Sequence, residues 1–307
     1  MEKNQNTKRR YTIQDIADAV GVSKATVSYV LNDKPGARVS DQTRSRILHV
    51  ANLYNYAPNL RAKYLAAPLD NPVGLAFGDT QPWMETAYAP LVHALVRQLN
   101  AAGRQVMLFH VDDLAAAQTD YPVDALVAVN LSQTAIRSLS GRLFVPFVLV
   151  DAFTEDSLFY AFSVDIRALR ERIQAEHPGR RTVFVCGSYG NALYRRYLAE
   201  TVGWDNLCFY EGPEALREFL DEAGKDCLPV FFGAAGALVA AGWGLNGAAC
   251  VVVDETVLPV FPKTWKVYRT SAQEMARAVV RLLEDLTNRR EERYPSAHQL
   301  LVSPLGD

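Results

Sequence analysis

The sequence predicts a small all-helical unit at the amino terminus, followed by a much larger α/β body with two parallel sheets. Residues 12–54 place their apolar side chains at helical spacing and contain no convincing strand. After Pro72 the pattern changes, and short apolar runs alternate with amphipathic segments. Repeated strand–helix units of this kind form parallel sheets that are covered by helices on both faces.

Three short helices with one shared core are predicted in the amino-terminal unit. Thr12 and Asp15 form a capping-box pattern, and Gly21 ends the first helix. Ser23 and Ser40 are placed to begin the second and third helices. The predicted inner faces are Ile13, Ile16, Ala17 and Val20; Val27, Val30 and Leu31; and Ile47, Leu48, Ala51 and Tyr54.

A short amphipathic piece, Leu60 to Ala66, links the two units and is stopped by Pro68. About seven residues are too few to hold a helix alone in water. We therefore expect this piece to fold only when something docks on it.

Within the α/β body, the run from Leu228 to Val253 is apolar and long enough to cross a bilayer. Gly233 and Gly247 punctuate it, so strand, helix, strand is the better interpretation. Two sheets of such units leave a cleft at the carboxyl ends of their strands, where small ligands usually bind.

Charge is distributed unevenly along the 307 residues. Residues 1–68 hold 11 basic and 5 acidic side chains, whereas the remainder holds 21 basic and 29 acidic ones. A basic head on an acidic body favours a polyanionic partner at one end. The widely spaced cysteines form no CxxC pair, so we expect buried thiols, no metal site and no cofactor: Cys186, Cys208, Cys227 and Cys250.

Residues Thr12 to Asn32 have the spacing of a helix-turn-helix. Small residues stand where the two helices would cross and turn, which leaves Lys24, Ala25 and Tyr29 on the outer face of the second helix. Side chains in that position can reach base edges when the helix lies in the major groove of DNA. A plain three-helix bundle with a polar surface is the alternative.

The residues themselves resemble those of the LacI/GalR family of bacterial transcription repressors. The resemblance covers TIQDIADAVGVSKATVSYVLN, VSDQTRSRIL and YAPNLRAKYL. It implies a helix-turn-helix headpiece over residues 1–57, a hinge helix and linker over 58–70, and an effector-binding and dimerisation core over 71–307. It also implies a periplasmic-binding-protein-like core, divided into 71–160 plus 265–290 and 161–260 plus 291–307.

Roles in DNA binding follow from this resemblance position by position. Lys24, Ala25 and Tyr29 match base-reading positions. The expected contacts to the DNA backbone are Thr12, Ser23, Thr26, Ser28 and Asn32. The expected minor-groove residues of the hinge are Asn59, Ala62, Lys63 and Leu65, of which Leu65 would wedge between base steps.

The resemblance of the core is looser. It implies effector contacts at Asp79, Trp83, Met84, Asp151, Arg195 and Asp254, each of which competes with a surface or capping role. Where the family often has an Asn-Asp pair, this chain has Gly233, Ala234 and Ala235. This departure removes a typical sugar contact and puts a sugar effector in doubt. The expected effector is a small molecule, either a sugar or another, less polar metabolite, with control by a protein partner or no effector as the alternative.

The expected assembly is a cytoplasmic, nucleoid-associated homodimer on a near-palindromic double-stranded operator. No GxSxG, GxGxxG, Walker or HExxH pattern favours an enzyme. A free periplasmic receptor is disfavoured, because Met1 to Arg10 do not form a secretory signal. The operator sequence, the effector and the choice between dimer and tetramer stay open.

Overall fold

A computed structural model describes most of the chain. The described residues are 11–31, 39–54, 56, 72–78, 82–111, 123–141, 145–156, 159–245, 247–257, 260–288 and 299–303.

The headpiece contains the three predicted helices, α1 (Ile13–Val20), α2 (Lys24–Leu31) and α3 (Asp41–Leu53). They bury one core, whose members are Ile16, Ala17, Val20, Val27, Val30, Leu31, Ile47 and Ala51. The rings of Tyr11 and Tyr54 stack with their centroids 4.1 Å apart, so the entry to α1 is held against the end of α3.

The predicted helix starts are confirmed. The Thr12 hydroxyl accepts a hydrogen bond from the Asp15 amide at 3.3 Å, and the Asp15 carboxylate accepts one from the Thr12 amide at 2.7 Å. Ser23 and Ser40 accept in the same way from the amides of Thr26 and Thr43. Each serine therefore satisfies one of the amides that the first turn of a helix leaves unpaired.

The first lobe of the core is built on a six-stranded parallel sheet in the order β11-β5-β4-β3-β1-β2. Its strands are β1 (Val73–Phe77), β2 (Val106–His110), β3 (Ala125–Val129), β4 (Phe147–Val150), β5 (Tyr160–Val164) and β11 (Gln299–Val302). Helices α4 (Pro82–Ala101) and α5 (Gln133–Ser140) connect its early strands.

The second lobe carries a five-stranded parallel sheet in the order β10-β9-β8-β6-β7. Its strands are β6 (Thr182–Gly187), β7 (Leu207–Tyr210), β8 (Leu228–Phe232), β9 (Cys250–Asp254) and β10 (Lys266–Thr270). The helices are α6 (Ile166–Glu176), α7 (Ala192–Val202), α8 (Pro213–Ala223) and α9 (Ala234–Gly242), with a short 3-10 turn at Trp204–Asn206. The parse of residues 228–253 as strand, helix, strand is thus confirmed.

Alternate residues along the second sheet serve two separate cores. Val230 and Val252 join the large core that continues into the first lobe, while Phe231 and Val251 face a smaller cluster under α8 and α9. This alternation follows from the two-residue period of a strand. Among the described helices, none combines the length and hydropathy needed to cross a membrane.

The expected division into subdomains was wrong at three strands. β5 and β11 both lie in the first sheet, where β5 pairs with β4 and β11 pairs with β5. β10 pairs with β9 in the second sheet, although α10 (Ala272–Thr287), which follows at once, packs on α4 and the first-lobe core. An apolar run in the sequence identifies a strand, but it does not show which strand lies next to it. The neighbouring strand is determined by how the connecting segments cross between the lobes.

The predicted helix from Ala87 also begins earlier than expected, at Pro82. Proline fits the first turn, where its missing amide has no intrahelical partner in any case. Trp83 and Met84 therefore stand on a helix rather than in a loop.

Candidate nucleic-acid interface and ligand cleft

Helix α2 has one buried face and one exposed face. Val27, Val30 and Leu31 are buried in the headpiece core. Lys24 and Ala25 are exposed, and 45% of Tyr29 is accessible. The three predicted base-reading side chains are thus presented together on a convex surface.

The predicted backbone-contacting residues flank this surface where they are described. Ser23 and Thr12 are exposed, and their hydroxyls also cap helices. The hydroxyls of Ser23 and Thr26 lie 2.9 Å apart, and Ser28 is half-buried. Asn32 lies outside the described residues, as do all four predicted hinge residues: Asn59, Ala62, Lys63 and Leu65.

A cleft of about 560 Å³ opens between the two lobes of the core. The carboxyl ends of strands from both sheets contribute to its wall, at Asp151, Gly187, Gly233 and Asp254. The prediction of a cleft at the strand ends is therefore confirmed, and its volume is that of ordinary small-molecule sites.

Asp151 follows β4 and lines the cleft. Its backbone is in the left-handed region, with φ at 49°. The Tyr88 hydroxyl donates to Oδ2 at 3.0 Å, whereas Oδ1 is buried without a hydrogen-bond partner among the described residues. Burial raises the pKa of this carboxyl to about 6, and hydrogen bonds from Tyr88 and Tyr194 oppose the rise.

Asp254 also lines the cleft, but its carboxylate is already engaged. Oδ1 accepts from the Thr256 amide at 2.9 Å, and Oδ2 accepts from the Ala272 amide at 2.6 Å. Ala272 is the first residue of α10, so this carboxylate satisfies an amide at the positive end of that helix. Its evident role is to join the second sheet to the first-lobe helix.

The other predicted effector contacts divide into three cases. Met84 is buried and lines the cleft, as expected. Arg195 stays a prediction: it is not among the described lining residues, and its guanidinium lies over the Phe209 ring, 4.4 Å from the centroid. Asp79 and the side chain of Trp83 lie outside what the structure describes.

Sequence reasoning missed Asn191, which joins the lobes beside the cleft. It is fully buried at the start of α7, where its Oδ1 accepts from the amides of Phe153 at 3.2 Å and Tyr194 at 2.9 Å. Its Nδ2 donates to the carbonyls of Leu131 at 2.8 Å and Phe153 at 3.1 Å. The sequence signal was an ordinary asparagine before a helix, which indicates a cap and nothing more.

A second link between the lobes lies next to Asn191. The amide of Gly190 donates to Oδ1 of Asn130 at 3.1 Å, and Asn130 has a left-handed φ of 54°. At the end of β6, a Cβ on Gly187 would collide with the end of the Met84 side chain, so the glycine lets α4 approach the second sheet closely.

The four cysteines are free thiols. Cys186, Cys227 and Cys250 are buried, as expected, whereas Cys208 is only half-buried. Burial raises the pKa of Cys186 to about 12, which keeps this thiol protonated and unreactive. In the part of the chain that is described, no three His, Cys, Asp or Glu side chains come together as metal ligands would.

Comparison with known proteins supports the assignment of the headpiece. The profile described as "Bacterial regulatory proteins, lacI family" matches residues 12–59. The chain is 31% identical over 159 residues to the sucrose operon repressor of Klebsiella pneumoniae, which covers 48% of this chain and 46% of that protein. It is also 31% identical over 158 residues to the fructose operon regulatory protein of Vibrio cholerae serotype O1, covering 48% of each. The chain thus spans about half the length of these relatives.

Solved structures share the fold over a larger part of the chain. The lac repressor dimer bound to operator and the anti-inducer ONPF has a TM-score of 0.58 at 18% identity, covering 96% of this chain and 97% of that one. A LacI family regulator from Arthrobacter sp. FB24 in complex with lactose has a TM-score of 0.55 at 18% identity, covering 77% and 97%. At this identity the likeness establishes architecture alone. Residues 12–59 thus match the lacI family profile, and the two-sheet core shares the architecture of these solved structures.

Proposed function

We propose that the chain is a transcription regulator that binds a near-palindromic DNA operator as a homodimer, and that a small molecule in the core cleft controls it. The observation that carries this proposal is the exposed outer face of α2, where Lys24, Ala25 and Tyr29 follow the capping hydroxyl of Ser23. Among the described residues, the headpiece core does not include these three side chains.

The chemistry of that face suits duplex DNA. Lys24 supplies a positive charge for guanine edges or phosphate, and Tyr29 offers a ring and a hydroxyl. Single headpieces bury too small an interface for a rare site, so two headpieces on paired half-sites are required. The repressor names of the relatives and the operator-bound neighbour support this proposal.

The cleft favours control by a small molecule over control by a protein partner. Its volume of about 560 Å³ matches a metabolite-sized ligand, and elements of both lobes line it. In the proposed switch, closure of the lobes changes the spacing of the two linkers, so that residues 59–65 fold on DNA in one state only. A ligand shifts this equilibrium only by its differential affinity for the two states.

Selection of bound sequences from a random duplex pool tests the DNA-binding proposal directly. We expect a near-palindrome to emerge, and Tyr29→Ala to relax the preference at one position in each half-site by about 1 to 3 kcal/mol. Trp204→Ala is the matched control, because Trp204 is an aromatic residue on the core that is 64% exposed. Lack of any enriched sequence at moderate salt, with or without metabolites, would contradict the proposal.

The hinge is tested separately with Leu65→Ala. We expect weaker binding to the selected operator and unchanged binding to random duplex, because a wedge acts only where the site bends. Gel-shift titrations on both duplexes measure the two affinities. Equal losses on both would argue against a wedge.

A further inference from the structure

The wall of the core cleft is mainly apolar. The first lobe contributes Leu91 and Met275, and the second contributes Phe232, Leu238 and Val252. Among the described residues that line the cleft, none is Lys, Arg or His. The wall therefore offers a ligand hydrophobic contact and no positive charge.

Two carboxylates reach this wall, and they differ in what they can still bind. Both oxygens of Asp254 accept backbone amides. Asp151 accepts the Tyr88 hydroxyl on Oδ2 and also interacts with the Tyr194 hydroxyl, while its buried Oδ1 has no donor in hydrogen-bonding geometry among the described residues. The last torsion of an aspartate is broad, so the carboxylate can adjust to a donor that enters the cleft. Asp151 is thus the carboxylate with spare capacity to accept a hydrogen bond.

This arrangement discriminates among classes of ligand. A sugar would place several hydroxyls against a mainly apolar wall, where each polar group left unpaired costs about 1 to 3 kcal/mol. An anion would face Asp151 and Asp254 with no basic partner in the described lining. A protonated amine would instead supply the charged donor that the described lining does not offer Asp151, and charge-assisted hydrogen bonds are about twice as strong as neutral ones.

We propose that the core cleft binds an organic amine: an apolar body between the lobes, with one cationic nitrogen that donates to the Asp151 carboxylate. This inference rests on the proposed function, since it names the chemical class of the ligand at that regulatory site. The neighbouring Tyr88, Tyr189 and Tyr194 stay neutral, because burial raises the pKa of each hydroxyl.

The carboxylate must be ionised to hold the amine. Asp151 has a pKa of about 6 before the ligand binds, so affinity is expected to increase from pH 5 to pH 7.5. The other titratable groups in the described surroundings are Asp254, across the cleft, and the neutral hydroxyls of Tyr88, Tyr189 and Tyr194. The buried thiol of Cys186 lies next to these tyrosines and stays protonated.

Calorimetry on the full chain with matched amine and alcohol pairs tests the proposal. The probes are 2-phenylethylamine and 2-phenylethanol, tryptamine and tryptophol, and hexylamine and hexanol, with 3-phenylpropanoate and sucrose as the anion and the sugar. At pH 7.5 we expect at least one amine to bind at least about tenfold more tightly than its alcohol, equivalent to about 1.4 kcal/mol. The anion and sucrose are expected not to bind.

Variants locate the contact. Asp151→Asn should remove the preference for the amine and leave the affinity for the alcohol within about twofold, because only the charge is lost. Asp205→Asn is the matched control, since Asp205 is an exposed carboxylate of the second lobe outside the cleft lining. Ala235→Phe should weaken amine and alcohol together, because Ala235 lines the cleft.

The proposal is overturned if no amine exceeds its alcohol partner, if Asp151→Asn keeps the preference, or if sucrose binds more tightly than the amines. The random-duplex selection on the same preparation separates the two levels. An enriched operator without amine preference rejects the ligand class alone, whereas amine preference without any enriched duplex rejects the DNA-binding function and keeps the cleft assignment.

Discussion

The headpiece presents its candidate contacts on a convex face, whereas the core gathers its candidate contacts inside a concave cleft. On α2, Lys24 and Tyr29 extend from one helix and need only that helix to be placed. In the cleft, Asp151 depends on a hydroxyl from α4 and on neighbours from the second lobe.

This difference predicts independent failure of the two regions. A surface on one small helical unit is lost when that unit unfolds, and the core can remain intact. A cleft between lobes is lost when the lobes separate, even if each sheet persists. Four substitutions test this contrast, from the largest expected effect to the smallest.

Ile47→Ala is expected to unfold the headpiece alone. Ile47 is fully buried in its small core, and truncation of such a side chain costs about 2 to 5 kcal/mol. A unit of this size has little stability in reserve. Calorimetry should show loss of the headpiece transition with the core transition unchanged. Ile173→Ala, at a fully buried position of the core, is the matched control. It should destabilise the core transition and leave the headpiece transition unchanged. If either variant shifted both transitions together, the independence of the two units would be contradicted.

Asn191→Ala is expected to destabilise the core by about 2 to 4 kcal/mol, because it leaves the buried amides of Phe153 and Tyr194 without their acceptor. Urea unfolding followed by core fluorescence measures the loss. Asn288→Ala removes an exposed amide that bonds to Glu284 and should cost under about 0.5 kcal/mol. Similar losses in the free energy of unfolding for both variants would show that the hydrogen bonds of Asn191 between the lobes do not stabilise the core more than a surface hydrogen bond does.

Asp151→Asn is expected to stabilise the core at pH 8 by about 1 to 2 kcal/mol, because the ionised carboxylate is unfavourable in the folded protein. The rise of its pKa by about 2 units corresponds to at most about 3 kcal/mol, and the expected value is smaller because the residue is only half-buried. A raised folded-state pKa favours the native protein below the unfolded value of 3.8, and that contribution is lost as pH rises through about 6. The advantage of the variant should therefore be small at pH 4 and reach its full size above pH 7. Urea unfolding at both pH values measures it, with Asp205→Asn as control; a pH-independent difference would refute the raised pKa.

Thr12→Val is expected to lower the stability of the headpiece by about 1 kcal/mol, because it removes the acceptor for the Asp15 amide. Thr12→Ser keeps the hydroxyl and should retain most of the stability. The midpoint of the headpiece transition gives the comparison. Equal effects of valine and serine would mean that the cap does not support the fold.

The same contrast explains what could be predicted from sequence. Caps at Thr12, Ser23 and Ser40 act within three residues, so a local pattern was sufficient to find them. The cleft residues Met84 and Asp151 could be placed only through resemblance to a family.

Features that depend on distant pairing could not be predicted. β11 joins the first sheet because it meets β5 about 140 residues earlier in the chain, and no local pattern encodes that partner. Arg195 was assigned to the cleft through resemblance to the family, but its guanidinium lies over the Phe209 ring. In the sequence, Asn191 resembles an ordinary helix cap. Its hydrogen bonds to Phe153 and Leu131 of the other lobe are visible only in the folded structure.

The left-handed backbone at Asp151 narrows the routes by which this cleft could be redesigned or could diverge. Outside glycine, that conformation is tolerated mainly by asparagine and aspartate, and it is strained for β-branched or bulky residues. Ligand selectivity could therefore change at this position by substitution of the aspartate with asparagine or glycine. A lysine or arginine would be strained in this backbone conformation. A switch towards acidic ligands would have to recruit its positive charge from another strand end.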